Sequence, residues 1–222
     1  MKNEIVVDKN PKSSVAEAIR IIRTNLEFSG IDKKVKSVLI TSSIPSEGKS
    51  FISSNLATSF AQNGSKVLLM DCDMRKGRLH KIFGIENEKG LSNLLLEDIE
   101  TSFKDFIKKT DIDNLYLLPK GVVPPNPSEL LNSPKTKALI HVLSDKFDYV
   151  ILDGTPVNGL TDSLILTKYV DKTVIVATLN YTKTNEFEFT KKSLISVGAD
   201  IAGVVVNKTA DVHSGYYGNY YE

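Results

Sequence analysis

A nine-residue turn at positions 42–50, with the sequence SSIPSEGKS, constrains the fold more than any other stretch of the chain. The apolar run 35–41 before it predicts a β-strand, and residues 51–62 after it have the apolar spacing of a helix. A strand, a turn ending in Gly-Lys-Ser and a helix form the setting of a phosphate-binding loop, in which backbone N–H groups and the helix N-terminus hold an anion. The general loop pattern has a glycine where this chain has Ser43.

The turn therefore predicts a nucleotide site. Lys49 would reach the β- and γ-phosphates, and the Ser50 hydroxyl would hold Mg²⁺. A surface turn that contains Gly-Lys-Ser by chance is the competing interpretation, and the flanking strand and helix disfavour it. The predicted nucleotide contacts in this stretch are Ser43, Pro45, Ser46, Glu47, Gly48, Lys49, Ser50 and Phe51.

Strands and helices alternate along the rest of the chain. This alternation predicts an α/β fold of the P-loop NTPase type, with a parallel sheet covered by helices on both faces. Residues 1–11 are polar, and we expect them to be loosely held. The further predicted strands are 66–70, 115–118, 149–152, 173–179 and 201–206, and the further predicted helices are 13–28, 134–144, 161–168 and 185–197.

Polar side chains follow several of these strands. Asp71 and Asp73 follow strand 66–70, Asp153 follows strand 149–152, and Asn207 follows the last strand. The carboxyl ends of parallel strands share one edge of a sheet, so we expect these residues near Lys49. Asp153 is placed to assist Mg²⁺, and either Asp71 or Asp73 could accept a proton. For Asp73 alone, a helix N-cap is the alternative.

The predicted helix 13–28 carries two patterns. Ser13 or Ser14 would cap it, and Val15, Ala18, Ile19, Ile22 and Leu26 would form its apolar face. Glu17, Arg20 and Arg23 follow one another at spacings of three, so they lie on one side. From the residues alone, this charged stripe is a solvated helix face.

Composition limits the remaining choices. The single cysteine, Cys72, excludes an intrachain disulfide and a metal cluster built on cysteine, and it suits a reducing cytoplasm. A net charge of +1 gives no bias toward nucleic acid. No apolar run is long enough to cross a bilayer, so a membrane location would require a partner.

The C-terminal segment is rich in tyrosine. Four of the eight tyrosines lie in the last seven residues, namely Tyr216, Tyr217, Tyr220 and Tyr221. This composition fits either a segment that docks on a partner or a tail that becomes phosphorylated. We predict a domain at 1–207 and a flexible tail at 208–222.

The chain resembles the bacterial tyrosine kinases (BY-kinases) of the CpsD/CapB family of capsule and exopolysaccharide synthesis. The resemblance covers nearly the whole length, and Ser43 in place of glycine is that family's own pattern. The matching segments are ExxRxxRTN at 17–25, the EGKS loop at 42–50, DxDxRKxxxHxxF at 71–83, LPxGxxPPNPxELL at 118–131 and the terminal tyrosine cluster.

The resemblance implies a role for each matching residue. Lys49 and Ser50 would bind phosphate and Mg²⁺ of ATP, Asp71 would activate the acceptor hydroxyl and join Asp153 near the metal, and Asp73 would belong to the same segment. Asn207 would contact the adenine. The family usually has a hydroxyl residue after its third carboxylate, where this chain has Gly154, and Thr155 is the candidate replacement.

The resemblance also implies an assembly. Glu17, Arg20 and Arg23 would line the subunit interface of a ring homo-oligomer, and the tail tyrosines would be phosphorylated by a neighbouring subunit. The implied partners are a membrane adaptor of the polysaccharide chain-length (Wzz-like) type, which would recruit and activate the kinase at the inner face of the plasma membrane, and an opposing tyrosine phosphatase.

Two other functions compete with a kinase. A Min/Par-type switch ATPase would carry a lysine early in its loop, where this chain has Ile44. A scaffold whose nucleotide only sets its oligomeric state is the second alternative, and the tyrosine tail argues against it.

Overall fold

The computed structural model describes residues 4–30, 34–97 and 99–209, without the side chains of 99–102. Its strands form one seven-stranded sheet in the order β3-β4-β2-β5-β1-β6-β7. Every neighbouring pair is parallel except β3 with β4, which is antiparallel at the sheet edge. The strands are β1 Ser37–Ser42, β2 Val67–Asp71, β3 Lys108–Lys109, β4 Leu115–Leu118, β5 Tyr149–Pro156, β6 Lys172–Thr178 and β7 Ile201–Asn207.

Helices cover both faces of this sheet. One apolar cluster joins α1, α2 and α3 to the sheet, and a second joins α5, α6, α8 and α9 to the other face. The helices are α1 Val6–Lys9, α2 Ser14–Phe28, α3 Lys49–Gln62, α4 Leu79–Phe83, α5 Leu91–Leu94, α6 Ile99–Phe106, α7 Pro127–Leu131, α8 Pro134–Lys146, α9 Asp162–Leu166 and α10 Thr184–Ser196.

The central strands explain this layering. Every residue of β1, β2 and β5 is buried, as expected for continuous apolar runs in a parallel sheet with both faces covered. The predicted α/β fold with a parallel sheet is confirmed. Strand β5 continues four residues beyond its predicted end, because Pro156 still pairs with Ser42 of β1.

The N-terminal segment differs from its prediction. We expected residues 1–11 to be loosely held, but Val6–Lys9 form α1, and the side chain of Val7 is fully buried. The backbone N–H of Val7 donates to Asn55 Oδ1 at 3.1 Å, and Asn55 Nδ2 donates back to the Glu4 carbonyl at 2.8 Å. The sequence signal is weak because this segment is held by contacts distant in the chain, among them Asn55 of α3 and the ion pair of Glu4 with Arg78 at 2.6 Å.

The apolar face of α2 is also rotated from its predicted position. Ser13 caps the helix, accepting the N–H of Ala16 at 3.2 Å, as one of the two predicted caps. Ala16, Ile19 and Leu26 are buried, whereas Val15 and Ala18 are exposed, so their predicted inclusion in the buried face is wrong. Ala16 is small enough to allow close packing of α2 on α3, which the larger Val15 is not.

Candidate active site

The loop of residues 43–48 joins the carboxyl end of β1 to the first turn of α3, which begins at Lys49. Gly48 has φ +96°, a left-handed backbone conformation that residues other than glycine rarely adopt. A Cβ at this position would lie 2.1 Å from Nδ2 of Asn207, so the conformation and the close approach both require glycine. The loop therefore has the strand–turn–helix setting that the sequence predicts.

Buried contacts from β6 and β7 hold this loop from behind. Glu47 is fully buried, and its carboxylate accepts the N–H of Ile44 at 2.7 Å and the hydroxyl of Thr182. Its backbone carbonyl accepts from Thr178 Oγ1 at 3.0 Å and from Asn207 Nδ2 at 2.9 Å. These bonds fix the backbone immediately before Lys49, whose side chain is only 8% exposed.

The other predicted loop contacts have different environments. The hydroxyl of Ser43 is buried without a hydrogen-bond partner, and Phe51 packs against the apolar core, so its side chain points away from the loop. The carbonyl of Ser46 accepts from Lys208 Nζ at 3.1 Å, and that of Pro45 accepts from the Tyr181 hydroxyl at 3.4 Å. The predicted contact of Asn207 with adenine stays a prediction, because its amide is engaged with the loop.

Two buried carboxylates stand side by side next to the loop. Asp71 at the end of β2 and Asp153 in β5 are directly opposite each other in the parallel register, and both are almost completely buried. Burial, then the charge of Asp153, raises the pKa of Asp71 well above its usual value, although the N–H of Leu79, donating at 3.1 Å, partly opposes this.

Asp153 lies closer to the loop and is perturbed less. Burial raises its pKa to about 6, against the positive charge of Lys49, which lowers it. Asp153 pairs with Ile40 of β1, and β1 leads into the loop and Lys49, so these groups lie at one edge of the sheet. The predicted proximity of the phosphate loop to the strand-end carboxylates is therefore seen in the structure.

The carboxylate oxygens fit a divalent cation. Oδ1 of Asp71 and both oxygens of Asp153 are buried without a hydrogen-bond partner, which is costly unless a cation or a proton satisfies them. Across the described ranges, no group of three or more His, Cys, Asp or Glu could hold a metal unaided. Mg²⁺ usually takes one or two carboxylates and completes its shell with water and substrate phosphate, and this donor set suits that mode.

Asp73 has a different role from Asp71. It is partly exposed, and its Oδ1 accepts the N–H groups of Arg75 at 3.2 Å and Lys76 at 2.8 Å. It therefore stabilises the turn after β2, and the alternative of a helix N-cap at Asp73 is wrong. The carboxylate that accepts from the first residue of α4, Leu79, is that of Asp71.

Sequence reasoning missed a clamp between three segments of this edge. Arg75 Nε donates to the fully buried carboxylate of Asp162 at 3.1 Å, and Ser128 Oγ donates to the other oxygen of Asp162 at 2.5 Å. The clamp ties the segment after β2 to α9 and to α7. The signal was available, because Arg75 and Ser128 lie in two of the segments that carry the resemblance.

The replaced hydroxyl position after Asp153 is tightly packed. A Cβ on Gly154 would lie 2.6 Å from Ser163 Oγ and 2.9 Å from Leu39 Cδ1, so this chain has no room there for serine or threonine. The Thr155 hydroxyl lies 3.4 Å from that of Ser163. Support of the metal site by Thr155 stays a prediction.

The three residues of the predicted subunit interface have unequal surroundings. Glu17 and Arg20 pair with each other at 2.9 Å on the surface of α2. Arg23 is engaged within the chain, since its Nη1 donates to the Ser59 carbonyl at 3.0 Å and lies 3.3 Å from the Ser59 hydroxyl. The predicted acceptors Tyr216, Tyr217, Tyr220 and Tyr221 lie outside the described residues.

Comparisons with known proteins show the family of the chain. The family model of the AAA domain AAA_31 matches residues 35–186. The chain is 38% identical over 219 residues to the putative tyrosine-protein kinase CapB of Staphylococcus aureus, covering 98% of this chain and 95% of CapB. It is also 38% identical over 221 residues to the tyrosine-protein kinase YwqD of Bacillus subtilis, covering 98% of this chain and 92% of that relative.

Longer relatives match over part of their length. The tyrosine-protein kinase wzc of Salmonella typhimurium is 36% identical over 223 residues, which is 100% of this chain but 31% of that protein.

Solved structures give the same result. The chimerical protein CapA2B2 superposes with a TM-score of 0.88 at 39% identity, covering 93% of this chain and 90% of that one. The kinase domain of the Escherichia coli tyrosine kinase ETK gives 0.86 at 31% identity, covering 96% and 84%. The septum site-determining protein MinD of Pyrococcus horikoshii, at 22% identity and a TM-score of 0.65 over 77% of this chain and 69% of that one, shares the fold. The chain belongs to the bacterial tyrosine kinases of the capsule and exopolysaccharide family.

Proposed function

We propose that this protein is an ATP-dependent protein-tyrosine autokinase that phosphorylates Tyr216, Tyr217, Tyr220 and Tyr221 of a neighbouring subunit and thereby regulates capsular or exopolysaccharide synthesis and export. The observation that carries the proposal is the arrangement of Lys49 and Ser50 beside two buried carboxylates with unpartnered oxygens, Asp71 and Asp153.

The site residues divide the reaction between them. The loop N–H groups and Lys49 would hold the phosphates of ATP, and Ser50 with Asp153 would hold Mg²⁺, which supplies charge neutralisation when bound. Asp71 would accept the proton of the tyrosine hydroxyl. The tyrosine oxygen forms its bond to the γ-phosphorus while the bond from that phosphorus to the bridging oxygen breaks, and ADP leaves.

Burial, then the charge of Asp153, raises the pKa of Asp71, and a raised pKa makes its carboxylate a stronger proton acceptor than an exposed one. Full burial also excludes bulk water, which would compete with the acceptor hydroxyl for the phosphoryl group.

The route of the tail supports the choice of acceptors. It follows β7, which ends at Asn207, and Asn207 contacts the phosphate loop. Tyr216 lies nine positions after Asn207 in the sequence, a reach of about 30 Å when extended. This reach allows delivery to the chain's own site, so transfer between subunits of a ring rests on the family resemblance.

The proposed partners follow from the family and from one structural finding. Among the described residues, no helix is both long and apolar enough to cross a membrane. We infer that a Wzz-like membrane adaptor recruits the protein to the inner face of the plasma membrane and activates it. A tyrosine phosphatase would reverse the modification. The match to part of the longer relative wzc and to the chimera CapA2B2 supports an adaptor of this type.

The test is mass spectrometry of the intact protein and its tail peptides after incubation with Mg-ATP, with and without the adaptor's cytoplasmic segment. Several phosphates on the wild-type tail are expected, and none on Lys49→Met or on a variant with all four tail tyrosines changed to phenylalanine.

Mixing the two variants distinguishes the route of transfer. Phosphate on the Lys49→Met tail in the presence of the four-phenylalanine variant shows transfer between subunits, because only the latter retains an intact site. ATP hydrolysis by the wild type without tail phosphate, even with the adaptor, would refute the kinase and leave a Min/Par-type switch or a nucleotide-dependent scaffold.

A further inference from the structure

A second lysine is buried at the same sheet edge and has no role in the reaction described above. Lys120 follows β4, the neighbour of β2. The residue is only 8% exposed, as is Lys49. In the strand order, β2 and β5 with their carboxylates lie between β4 and β1. Lys49 and Lys120 therefore flank the two buried aspartates from opposite sides.

The side chain of Lys120 is held in position without a strong partner. Its own carbonyl accepts the N–H of Ser92 at 3.0 Å, and the next residue, Gly121, donates to Asn87 Oδ1 at 3.1 Å, so the backbone is fixed on both sides. Among the described residues, the one hydrogen bond of its ammonium is to the Met74 carbonyl, at the long distance of 3.5 Å. Within the described ranges, Lys120 makes no ion pair.

A buried ammonium without a direct carboxylate partner is unfavourable unless surrounding negative charge compensates it. Here the compensation comes from a distance, because the charge of Lys120 acts on Asp71 and opposes the rise of the Asp71 pKa. Asp153 and Asp73 add to the same negative field around Asp71. Two buried lysines thus lie at the same sheet edge as these carboxylates.

We propose that Lys120 is a positioning residue of the kinase site, a positive charge built into the β4 side of the two aspartates. It would hold the segment after β2 through the Met74 carbonyl, limit the repulsion between Asp71 and Asp73, and weaken the binding of divalent cations in the absence of nucleotide. The catalytic part of this inference rests on the proposed kinase activity, whereas the effect on cation binding does not.

The first measurement is Mn²⁺ binding to the full nucleotide-free chain, followed from the electron paramagnetic resonance signal of free Mn²⁺. Removing one positive charge near the carboxylates in Lys120→Met should tighten Mn²⁺ binding about tenfold. Lys120→Arg keeps the charge and should bind Mn²⁺ like the wild type. Lys135→Met is the matched control, because Lys135 also donates to a backbone carbonyl, that of Glu97 at 3.0 Å, but is exposed.

The second measurement is the rate of tail phosphorylation. Lys120→Met should lower kcat about tenfold with little change in the KM for ATP, and Lys120→Arg should restore most of it. Circular dichroism checks folding, and Lys120→Gln replaces Lys120→Met if the latter does not fold.

Wild-type Mn²⁺ affinity in the folded neutral variant would overturn the proposal, as would a loss of kcat in that variant equal to the loss in Lys120→Arg. A wild-type protein that never phosphorylates its tail would refute the proposed kinase, and the Mn²⁺ comparison would still decide the role of Lys120.

Discussion

Changing Asn207 to alanine separates two roles for this residue. The family resemblance assigns it to the adenine, whereas in the structure its Nδ2 donates to the Glu47 carbonyl at 2.9 Å and lies behind Gly48. Asn207→Ala removes that bond and leaves the carbonyl with Thr178 alone, whose Oγ1 donates at 3.0 Å. We expect this variant to loosen the phosphate loop.

The magnitude follows from the bond that is lost. A hydrogen bond of this kind contributes about 1 kcal/mol, so unfolding free energy should fall by about that amount and nucleotide affinity by about fivefold. If Asn207 anchors the loop, the loss should be the same for ADP, GDP and inorganic pyrophosphate, since all three occupy the loop. If it reads the adenine, only ADP should weaken.

Isothermal titration with the three ligands, each with Mg²⁺, makes the comparison. Thr178→Val is the matched control, because it removes the other hydrogen bond to the same carbonyl while nearly conserving shape, and it should give the same uniform loss. Unchanged pyrophosphate affinity in Asn207→Ala, together with weaker ADP binding, would refute the anchoring role and support the adenine contact.

Three further predictions concern the carboxylates and α2. The pKa of Asp153 is raised from 3.8 to about 6 in the folded state, so stability falls as the pH rises between these two values and stays lower above about pH 6. In metal-free buffer above about pH 6, the free energy of unfolding of Asp153→Asn should therefore exceed that of the wild type by up to roughly 3 kcal/mol, as followed by thermal denaturation. Near pH 4 the two proteins should be equally stable, and a gain in stability that is independent of pH contradicts this. Gly77→Ala places a Cβ 2.1 Å from Asp71 Oδ1 and should slow tail phosphorylation about 100-fold. An unchanged rate in a folded variant would contradict the need for Asp71 to keep this position. Arg23→Ala should lower the denaturation midpoint by the equivalent of about 1–2 kcal/mol at every protein concentration, because the bonds to Ser59 lie within one chain. Arg20→Ala loses surface bonds to Glu17 and to the Pro11 carbonyl, so it should change stability by less and mainly alter the sedimentation of the proposed ring.

The sheet and its site edge could be predicted because the relevant signals are local. Each central strand is a continuous apolar run, and the residues that follow it occupy one edge by the geometry of parallel strands. This rule was enough to bring Asp71 and Asp153 together. The short strand β3 was missed because Lys108 and Lys109 carry no strand pattern and pair only at the sheet edge.

The parts that could not be predicted depend on contacts distant in the chain. Helix α1 is held in part by Asn55, which lies forty-eight residues from Val7 and accepts the backbone N–H of Val7. The different roles of Asp71 and Asp73 depend on which of them is buried, and spacing alone cannot decide between two acids of one segment. Lys120 was accessible to the strand-end rule, since it follows β4 at the same edge, but a lysine in a loop resembles a solvated residue until its burial is known.

The hydrogen bonds of the site indicate a division of labour between its two sides. On the side of β6 and β7, the loop before Lys49 is fixed by contacts to Glu47 from Thr178, Thr182 and Asn207. On the side of β2 and β4, charge dominates, because Asp71 has an unpartnered carboxylate oxygen and Lys120 makes a single long hydrogen bond. Phosphate positions are thus set by rigid backbone before any ligand binds, whereas the charges around Asp71 are left to be completed by the cation, the nucleotide and the acceptor. An enzyme built in this way would bind nucleotide in an unchanged loop and gain most of its order near Asp71. The proposed kinase should therefore differ from a simple nucleotide switch on the side of β2 and β4.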